Sequence, residues 1–154
     1  MRLCGCILLL IEAIYCSKTN ISIDGTNFRI NGEITYKDAS NPNVHGLLLN
    51  SRMINAIFDD SNQSSLYLFQ YPDTNKWDPI RNTNEFIGNL SLYKSYGLLS
   101  FTVGLQGGNP FGIIPNEPKN ITGQPWINSA YNQTTGALIP SYFDRLERIL
   151  QKTD

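Results

Sequence analysis

Two apolar runs that end in polar residues dominate the pattern of the chain. Residues 46–49 are apolar and stop at Asn50, Ser51 and Arg52, while residues 98–105 are rich in β-formers and stop at Gln106. Runs of this length with a polar break are typical of buried strands in parallel sheets. Because ligands in α/β proteins bind at the carboxyl ends of such strands, the polar residues after each run are candidates for a binding site.

A β-hairpin precedes the first apolar run. Residues 28–36 alternate apolar and polar positions on both sides of Asn31 and Gly32. Asn-Gly is the strongest short hairpin signal, because a type I′ turn requires positive φ at both central residues. The sequence therefore predicts an antiparallel hairpin over 28–36, followed by a turn-rich link.

One helix is predicted after each strand, beyond a long polar loop. Asn82 with Glu85 three positions later predicts a helix over 83–96, which ends at Gly97. Pro140 opens a second helical pattern that runs to the end of the sequence. The apolar face of this second helix comprises Tyr142, Leu146, Ile149 and Leu150.

The order of these elements predicts an α/β fold with a hairpin followed by two β-loop-α units. The loops after the strands are long and the connections from helix back to strand are short, as expected when one face carries function. Two parallel strands alone would leave open edges and little surface for the helices to cover. We therefore expect residues 28–154 to be an incomplete (β/α) barrel domain, the N-terminal fragment of a (β/α)8 TIM barrel.

Composition narrows the classes of partner. The chain has 154 residues, enough for one domain, and with 16% charged residues and a net charge of −1 it lacks the basic surface that nucleic acids or anionic membranes attract. Its neutral polar residues suit hydrogen bonding to sugars, although plain secreted proteins share that palette. His45 is the single histidine and precedes the first strand, so no metal site and no cofactor are expected.

The first 16 residues resemble a secretory signal peptide. They carry Arg2 at the start and then an apolar stretch that is too short to span a bilayer as a helix. All three cysteines, Cys4, Cys6 and Cys16, fall at or before its end, so the mature domain would rely on its core rather than on disulfides. An uncleaved anchor or a misplaced start codon are the alternatives. We expect a secreted, extracellular protein without membrane attachment after cleavage, in which residues 17–27 form a linker.

Five Asn-x-Ser/Thr sequons agree with a secretory route. Such sequons are acceptors for N-glycosylation on exposed loops. In a chain this rich in Asn, Ser and Thr some arise by chance, so they support the prediction without proving it. They lie at Asn20, Asn62, Asn89, Asn120 and Asn132.

Six stretches resemble the N-terminal part of a family of largely uncharacterised secreted proteins, which look like glycoside hydrolases of the cellulase-type clan. They are FRINGEITY, GLLLNSRMINAIFDD, YPDTNKWDPIRNTNEF, GLLSFTVGLQGG, QPWINSAY and SYFDRLERIL. The resemblance implies a (β/α)8 barrel closed at its base by the hairpin. It also implies two catalytic carboxylates, at the ends of the fourth and seventh strands. This chain has the first two strands only, so no catalytic residue is assigned, and the chain is expected to be inactive although its full-length form would hydrolyse polysaccharide.

Five residues are predicted to bind the carbohydrate. Asn50 and Arg52 end the first strand, and Gln106 ends the second. Trp126 and Asn128 lie in the second long loop, where an aromatic ring can stack on a sugar and an amide can bond its hydroxyls.

Each of these assignments has a structural alternative. Arg52 could form a salt bridge with Asp59 or Asp60, and Trp126 could belong to a loop core, as could Trp77. The two adjacent acids favour a loop-capping role over a catalytic pair, because neighbouring side chains usually point apart. For the whole chain, the alternatives are a non-catalytic carbohydrate-binding protein or pseudoenzyme, and a small secreted structural glycoprotein.

Overall fold

The computed structural model describes residues 18–52, 55–60, 66–105, 130–132 and 134–153. It is a mixed α/β structure with a small antiparallel sheet, a parallel pair of strands and two helices. The strands are β1 (Ile21–Asp24), β2 (Asn27–Ile30), β3 (Glu33–Ile34), β4 (Asn50–Arg52) and β5 (Ser100–Thr102), and the helices are α1 (Pro79–Ser95) and α2 (Pro140–Thr153).

The predicted hairpin is confirmed. β2 and β3 pair antiparallel, and the turn between them has Asn31 at φ 51° and Gly32 at φ 82°, the positive values that a type I′ turn needs. β1 adds a third antiparallel strand on the other side of β2. This strand lies within residues 17–27, so the prediction of a linker there is wrong.

The parallel pair is also confirmed, but the first strand starts later than predicted. β4 pairs with β5 in parallel through residues 50–52, whereas residues 46–49 are not a strand, and Leu47 and Leu49 are 45% and 47% exposed. The reason is that the hairpin already binds this backbone. Gly46 N–H donates to Thr35 O at 2.8 Å, and Phe28 N–H donates to Gly46 O at 2.8 Å.

Gly46 makes that junction possible. Its φ is +79°, and a Cβ added there would lie 2.1 Å from the Asn27 side-chain oxygen. The buried Thr35 hydroxyl completes the junction by donating to Leu47 O at 2.5 Å. The hairpin therefore closes against the segment that leads into β4, and the ladder with β5 begins only beyond it.

Helix α1 begins four residues before the predicted start. Asp78 is its N-cap, because Asp78 Oδ1 accepts from the amides of Ile80 and Arg81 at 3.0 and 2.9 Å, and Pro79 occupies the first helical position. The predicted end at Gly97 is confirmed. Leu98 N–H donates to Tyr93 O at 3.1 Å and Gly97 N–H to Lys94 O at 2.9 Å, which is a Schellman motif.

The two helices pack on each other and cover one buried cluster. Phe101 of β5 meets Phe86 of α1 edge to face, with ring centroids 5.3 Å apart, and lies 5.5 Å from Tyr93. On α2, Tyr142 and Ile149 are buried as predicted, while Leu150 is exposed. The buried apolar residues of the cluster are Ala56, Ile57, Ala130, Tyr142 and Ile149. Among the described residues, no helix is long and apolar enough to cross a membrane.

Replacing the cap of α1 should test its revised start. We expect Asp78→Ala to lower the free energy of unfolding by about 1 kcal/mol, because two amides lose their acceptor. Asp78→Asn keeps an acceptor oxygen in place and should retain most of the stability. Urea unfolding followed by far-UV circular dichroism measures both, and an equal loss from Asp78→Asn and Asp78→Ala would contradict the assignment.

Candidate functional site

Residues 55–60 follow β4 and have no repeating structure, yet most of this segment is buried. A buried irregular segment needs partners for its carbonyl groups. Side chains of α1 supply the first two: Asn82 Nδ2 donates to Asn55 O at 2.6 Å, and the Thr83 hydroxyl donates to Ala56 O at 2.9 Å. The segment after the first parallel strand is thus fixed by the start of α1.

Helix α2 supplies the next two partners. Arg145 donates to Ile57 O from Nε at 3.3 Å and from Nη2 at 3.1 Å. The Tyr142 hydroxyl donates to Asp59 O at 2.7 Å. Both helices therefore meet at this segment through residues of their first two turns.

Arg145 is the most unusual residue of the described core. Its side chain is only 2% exposed, its Nη2 lies 3.7 Å from Asp59 Oδ2, and its guanidinium lies 4.6 Å from the centroid of the Tyr142 ring. Burial lowers the pKa of Arg145 below its usual value, and the nearby Asp59 carboxylate opposes that shift. Because arginine is effectively always protonated in proteins, the group remains charged at neutral pH.

Asp59 is held from several sides. Its Oδ1 accepts from Trp77 Nε1 at 3.2 Å and from the Asp60 amide at 2.9 Å, while its Oδ2 faces Arg145. These contacts support the predicted loop-capping role of Asp59. The ion pair of Asp59 is with Arg145 of α2 rather than with Arg52.

Trp77, which donates to this carboxylate, belongs to a cluster of aromatic rings. Phe58 lies 4.6 Å from Phe69 and 5.4 Å from Trp77 between ring centroids, and Tyr71 stacks parallel to Trp77 at 6.0 Å. Arg81 lies over the outer ring, Tyr71, at 3.8 Å. Trp77 is thereby part of a structural loop core, with its indole N–H used internally.

Asn50 and Arg52, the two predicted binding residues on β4, differ in their contacts. Asn50 Nδ2 donates to Thr102 Oγ1 at 2.8 Å, so this amide joins the two parallel strands. Arg52 is exposed at the end of β4, and within the described part of the chain no hydrogen bond or ion pair of its side chain is found. Gln106, Trp126 and Asn128 lie outside the described residues. Of the five predicted binding residues, Asn50 and Arg52 lie in the described part of the chain, two positions apart on β4.

The described sequons are exposed. Asn20 precedes β1, and Asn89 lies on α1 with its side-chain amide donating to Glu85 O at 2.7 Å. Asn132 Oδ1 accepts from the amides of Thr134 and Thr135 at 3.0 Å each, so this sequon forms a turn. Asn62 and Asn120 lie outside the described residues.

His45 has a structural contact, since its Nε2 lies 2.9 Å from Ala39 O. In the part of the chain that the structure describes, no group of three His, Cys, Asp or Glu side chains could hold a metal ion.

Sequence reasoning missed Arg145. The signal was available, because Arg145 lies three residues after Tyr142 and four before Ile149 and so falls on the apolar face of α2. A charged residue on a buried helical face needs a partner in the core. The pattern could not show which segment would provide it, because Ile57 lies 88 positions away.

The comparisons with known proteins give no assignment. No protein-family model, no curated protein and no solved structure matches this chain.

Removing the buried cation should strongly destabilise the fold. We expect Arg145→Met to cost about 3 kcal/mol, because Ile57 O loses its donors and Asp59 its counter-charge. Arg148→Met is the matched control on the same helix, since Arg148 is only half-buried and bonds the exposed Asn84, and it should cost less than about 1 kcal/mol. Urea unfolding measures both values, and similar losses would show that the carbonyl contact contributes little.

Tyr71 should make stability fall at high pH. Burial and the hydrogen bond to Glu85 at 3.0 Å raise the pKa of Tyr71 to about 12. The contribution of Tyr71 to the free energy of unfolding is complete below about pH 10, its pKa in the unfolded chain. This contribution is lost as the pH rises towards the pKa of the folded state, because in that range only the unfolded state ionises. Urea unfolding on both sides of this window should show a smaller loss for Tyr71→Phe than for the natural chain, and equal losses would refute the assignment.

Proposed function

We propose that this chain is the N-terminal portion of a secreted glycoside-hydrolase-like protein that binds polysaccharide. In this proposal β1 to β3 close the base of a (β/α)8 barrel, and β4-α1 and β5-α2 are its first two units. One observation carries the proposal: two parallel strands, each followed along the chain by a helix, end at the same edge, where Arg52 is exposed.

The arrangement supports binding rather than catalysis by this chain. A planar guanidinium can donate to two sugar hydroxyls at once, and Arg52 has that group turned to solvent at the strand edge. The carboxylate nearest to this edge in sequence, Asp59, is bonded to Trp77 and faces Arg145, which suits a structural role. The acid/base and nucleophile of the proposed enzyme would follow its fourth and seventh strands, which lie outside this chain.

Secretion is part of the same proposal. Residues 1–16 would be removed as a signal peptide, and the exposed Asn20, Asn89 and Asn132 would be open to glycosylation. No membrane attachment would remain after cleavage, and neutral sugar rather than nucleic acid would be the partner.

Expression of the full chain in a eukaryotic secretory host tests the proposal. We expect protein in the medium that begins near residue 17, runs faster on a gel after endoglycosidase treatment, and is retarded in native gels that contain a soluble polysaccharide. Reducing-sugar assays on the same polysaccharides should show no hydrolysis. Hydrolysis by the chain, or normal mobility in every polysaccharide tried, would overturn the proposal.

A pair of variants locates the binding site. Arg52→Ala should weaken polysaccharide binding about tenfold, the effect of losing roughly one charged hydrogen bond. Lys76→Ala removes an exposed cation from the loop before α1 and should leave binding unchanged. An equal effect of both substitutions would place the sugar elsewhere.

A further inference from the structure

Strand β1 lies at the edge of the antiparallel sheet, and all four of its residues are exposed. Within the ranges that the structure describes, β1 pairs with β2 alone, in a ladder without a bulge. Its sequence, ISID, contains no lysine and no proline. Lysine, proline and bulges are common means by which an edge strand is kept from pairing with another chain. β1 therefore retains the capacity to bind a further strand.

The backbone groups of Ile21 and Ile23 point away from β2. Asn31 N–H donates to Asn20 O at 2.7 Å, and Asn20 N–H donates to Asn31 Oδ1 at 2.7 Å, so the backbone of Asn20 faces β2. Backbone N–H and C=O groups alternate between the two sides of a strand. Those of Ser22 therefore face β2 as well, while those of Ile21 and Ile23 form the outer edge.

The same two isoleucines have exposed side chains. Ile21 is 59% exposed and Ile23 is 67% exposed. They share one face of the sheet with their β2 neighbours Ile30 and Phe28, which are half-buried. Ile21 also borders a groove of about 840 Å³ that residues 18 and 19, β5 and both helices line, yet most of its surface remains in contact with solvent. A strand that binds this edge would also cover the isoleucines.

A second copy of β1 is complementary to this edge. Two-fold symmetry pairs identical strands antiparallel, and residues that point outward must lie opposite residues that point outward. With Ser22 on the axis, Ile21 of each copy lies opposite Ile23 of the other. A shift of two residues in either direction sets one isoleucine opposite Thr19 or Gly25 instead. One symmetric register therefore pairs every isoleucine with an isoleucine.

We propose that β1 pairs antiparallel with β1 of a second copy, with Ser22 on the two-fold axis. In each copy Ile30 lies beside Ile21, and Phe28 lies beside Ile23. The pairing joins these neighbours into two apolar rows of four side chains on one face of a six-stranded sheet. Contacts between apolar side chains on neighbouring strands stabilise such a sheet.

The charges of the strand agree with this register. On the opposite face, Asn20 lies opposite Asp24 of the second copy, and Lys18 is the diagonal neighbour of that carboxylate. A long side chain such as lysine can reach a diagonal position. Asp24 bonds Arg29 through Oδ2 at 2.9 Å and its side chain is 68% exposed, while Lys18 is exposed as well. The dimer would contain two such pairs of opposite charge, one on each side of the axis.

The proposed interface is small. A strand of four residues buries less than the roughly 1,200 Å² that stable complexes bury. We therefore expect a reversible dimer that forms at high protein concentration. This inference goes beyond the proposed function and does not use the polysaccharide site at Arg52.

A glycan at Asn20 would oppose the dimer, because it would displace the side chain of Asp24 of the second copy. The glycosylated chain of the proposed function should therefore be monomeric. Asn20→Gln keeps an amide but removes the acceptor, and this variant should dimerise. If the secreted chain carries no glycan at Asn20, that part of the proposed function fails, and the chain itself should dimerise.

Cysteine cross-linking of the full chain tests the register. The chain is produced in bacteria, so that Asn20 carries no glycan, and its three natural cysteines are replaced by serine. Opposed residues in a non-hydrogen-bonded antiparallel pair have Cα atoms about 4.5 Å apart, within the range of a disulfide. When oxidised with glutathione disulfide, Ser22→Cys should therefore give about tenfold more linked dimer than Asp24→Cys. Asn20→Cys and Asp24→Cys should each stay monomeric alone and cross-link when mixed.

Two substitutions on exposed sites locate the interface by analytical ultracentrifugation of the same unglycosylated chain. Ile23→Lys places a charge on the edge and should abolish the dimer. Leu92→Lys is the matched control, since Leu92 is a 49% exposed apolar residue on α1, and it should preserve the dimer. Far-UV circular dichroism should show both variants folded.

Three results would overturn the inference. These are a monomer at every concentration, equal cross-linking at positions 22 and 24, and a dimer that Leu150→Lys dissociates while Ile23→Lys does not. The last result would place the second copy in the groove that Leu150 lines, rather than on β1.

Discussion

The described structure depends on hydrogen bonds from side chains of both helices to the backbone carbonyl oxygens of residues 55–59. Four carbonyl oxygens of this irregular segment accept hydrogen bonds from four side chains, two on each helix. The carbonyl oxygens of the buried Ala56 and Ile57 would otherwise lack partners, at a cost of about 1–3 kcal/mol each, whereas Asn55 is exposed and its oxygen also accepts from Phe58 N–H. The segment can be buried only while both helices are in place, and the helices are in turn aligned by it.

The charge of Arg145 adds to the requirement that both helices be in place. A buried guanidinium is costly unless its donors and its charge are both matched. Ile57 O takes two of the donors, and Asp59 and the Tyr142 ring face the cation. Apolar side chains at these positions could pack in several ways, but the planar fork of Arg145 fixes the distance between α2 and the segment after β4. This contact therefore restricts the position of α2 more tightly than the apolar cluster does.

Local signals in the sequence predicted the elements whose geometry is local. The turn at Asn31 and Gly32, the end of α1 at Gly97 and the start of α2 at Pro140 all follow from the backbone preferences of a few neighbouring residues. The predicted start of β4 was wrong, because Thr35 of the hairpin bonds to Gly46 N–H and to Leu47 O. No periodicity in residues 46–49 reports a partner that lies eleven positions earlier.

The predicted start of α1 was wrong for a related reason. Asn82 has the side chain of a good cap, but Asp78 with Pro79 is a stronger signal, and the structure uses it. Asn82 then lies inside the helix, and its amide binds Asn55 O across 27 positions. A residue chosen as a local cap thus contributes to the long-range contact that holds the segment after β4. Sequence propensity cannot separate those two uses of one amide, because asparagine offers both the oxygen that accepts in a cap and the nitrogen that donates to a distant carbonyl.

In the candidate site, too, the sequence does not show whether a polar side chain bonds within the fold or to a ligand. Asn50 and Arg52 are both polar residues of the first strand, and the sequence gives no ground to treat them differently. The structure separates them, because Asn50 bonds Thr102 across the pair while Arg52 extends to solvent. A polar residue at a strand end can serve either the sheet or a ligand, and its register against the neighbouring strand decides which. Asn50 faces Ser100 and reaches Thr102 two residues along, so its amide stabilises the parallel pair. Arg52 is directly opposite Thr102, whose Oγ1 already accepts from Asn50, and among the described residues no partner of the Arg52 guanidinium is found, so its donors are open to the sugar of the proposed function.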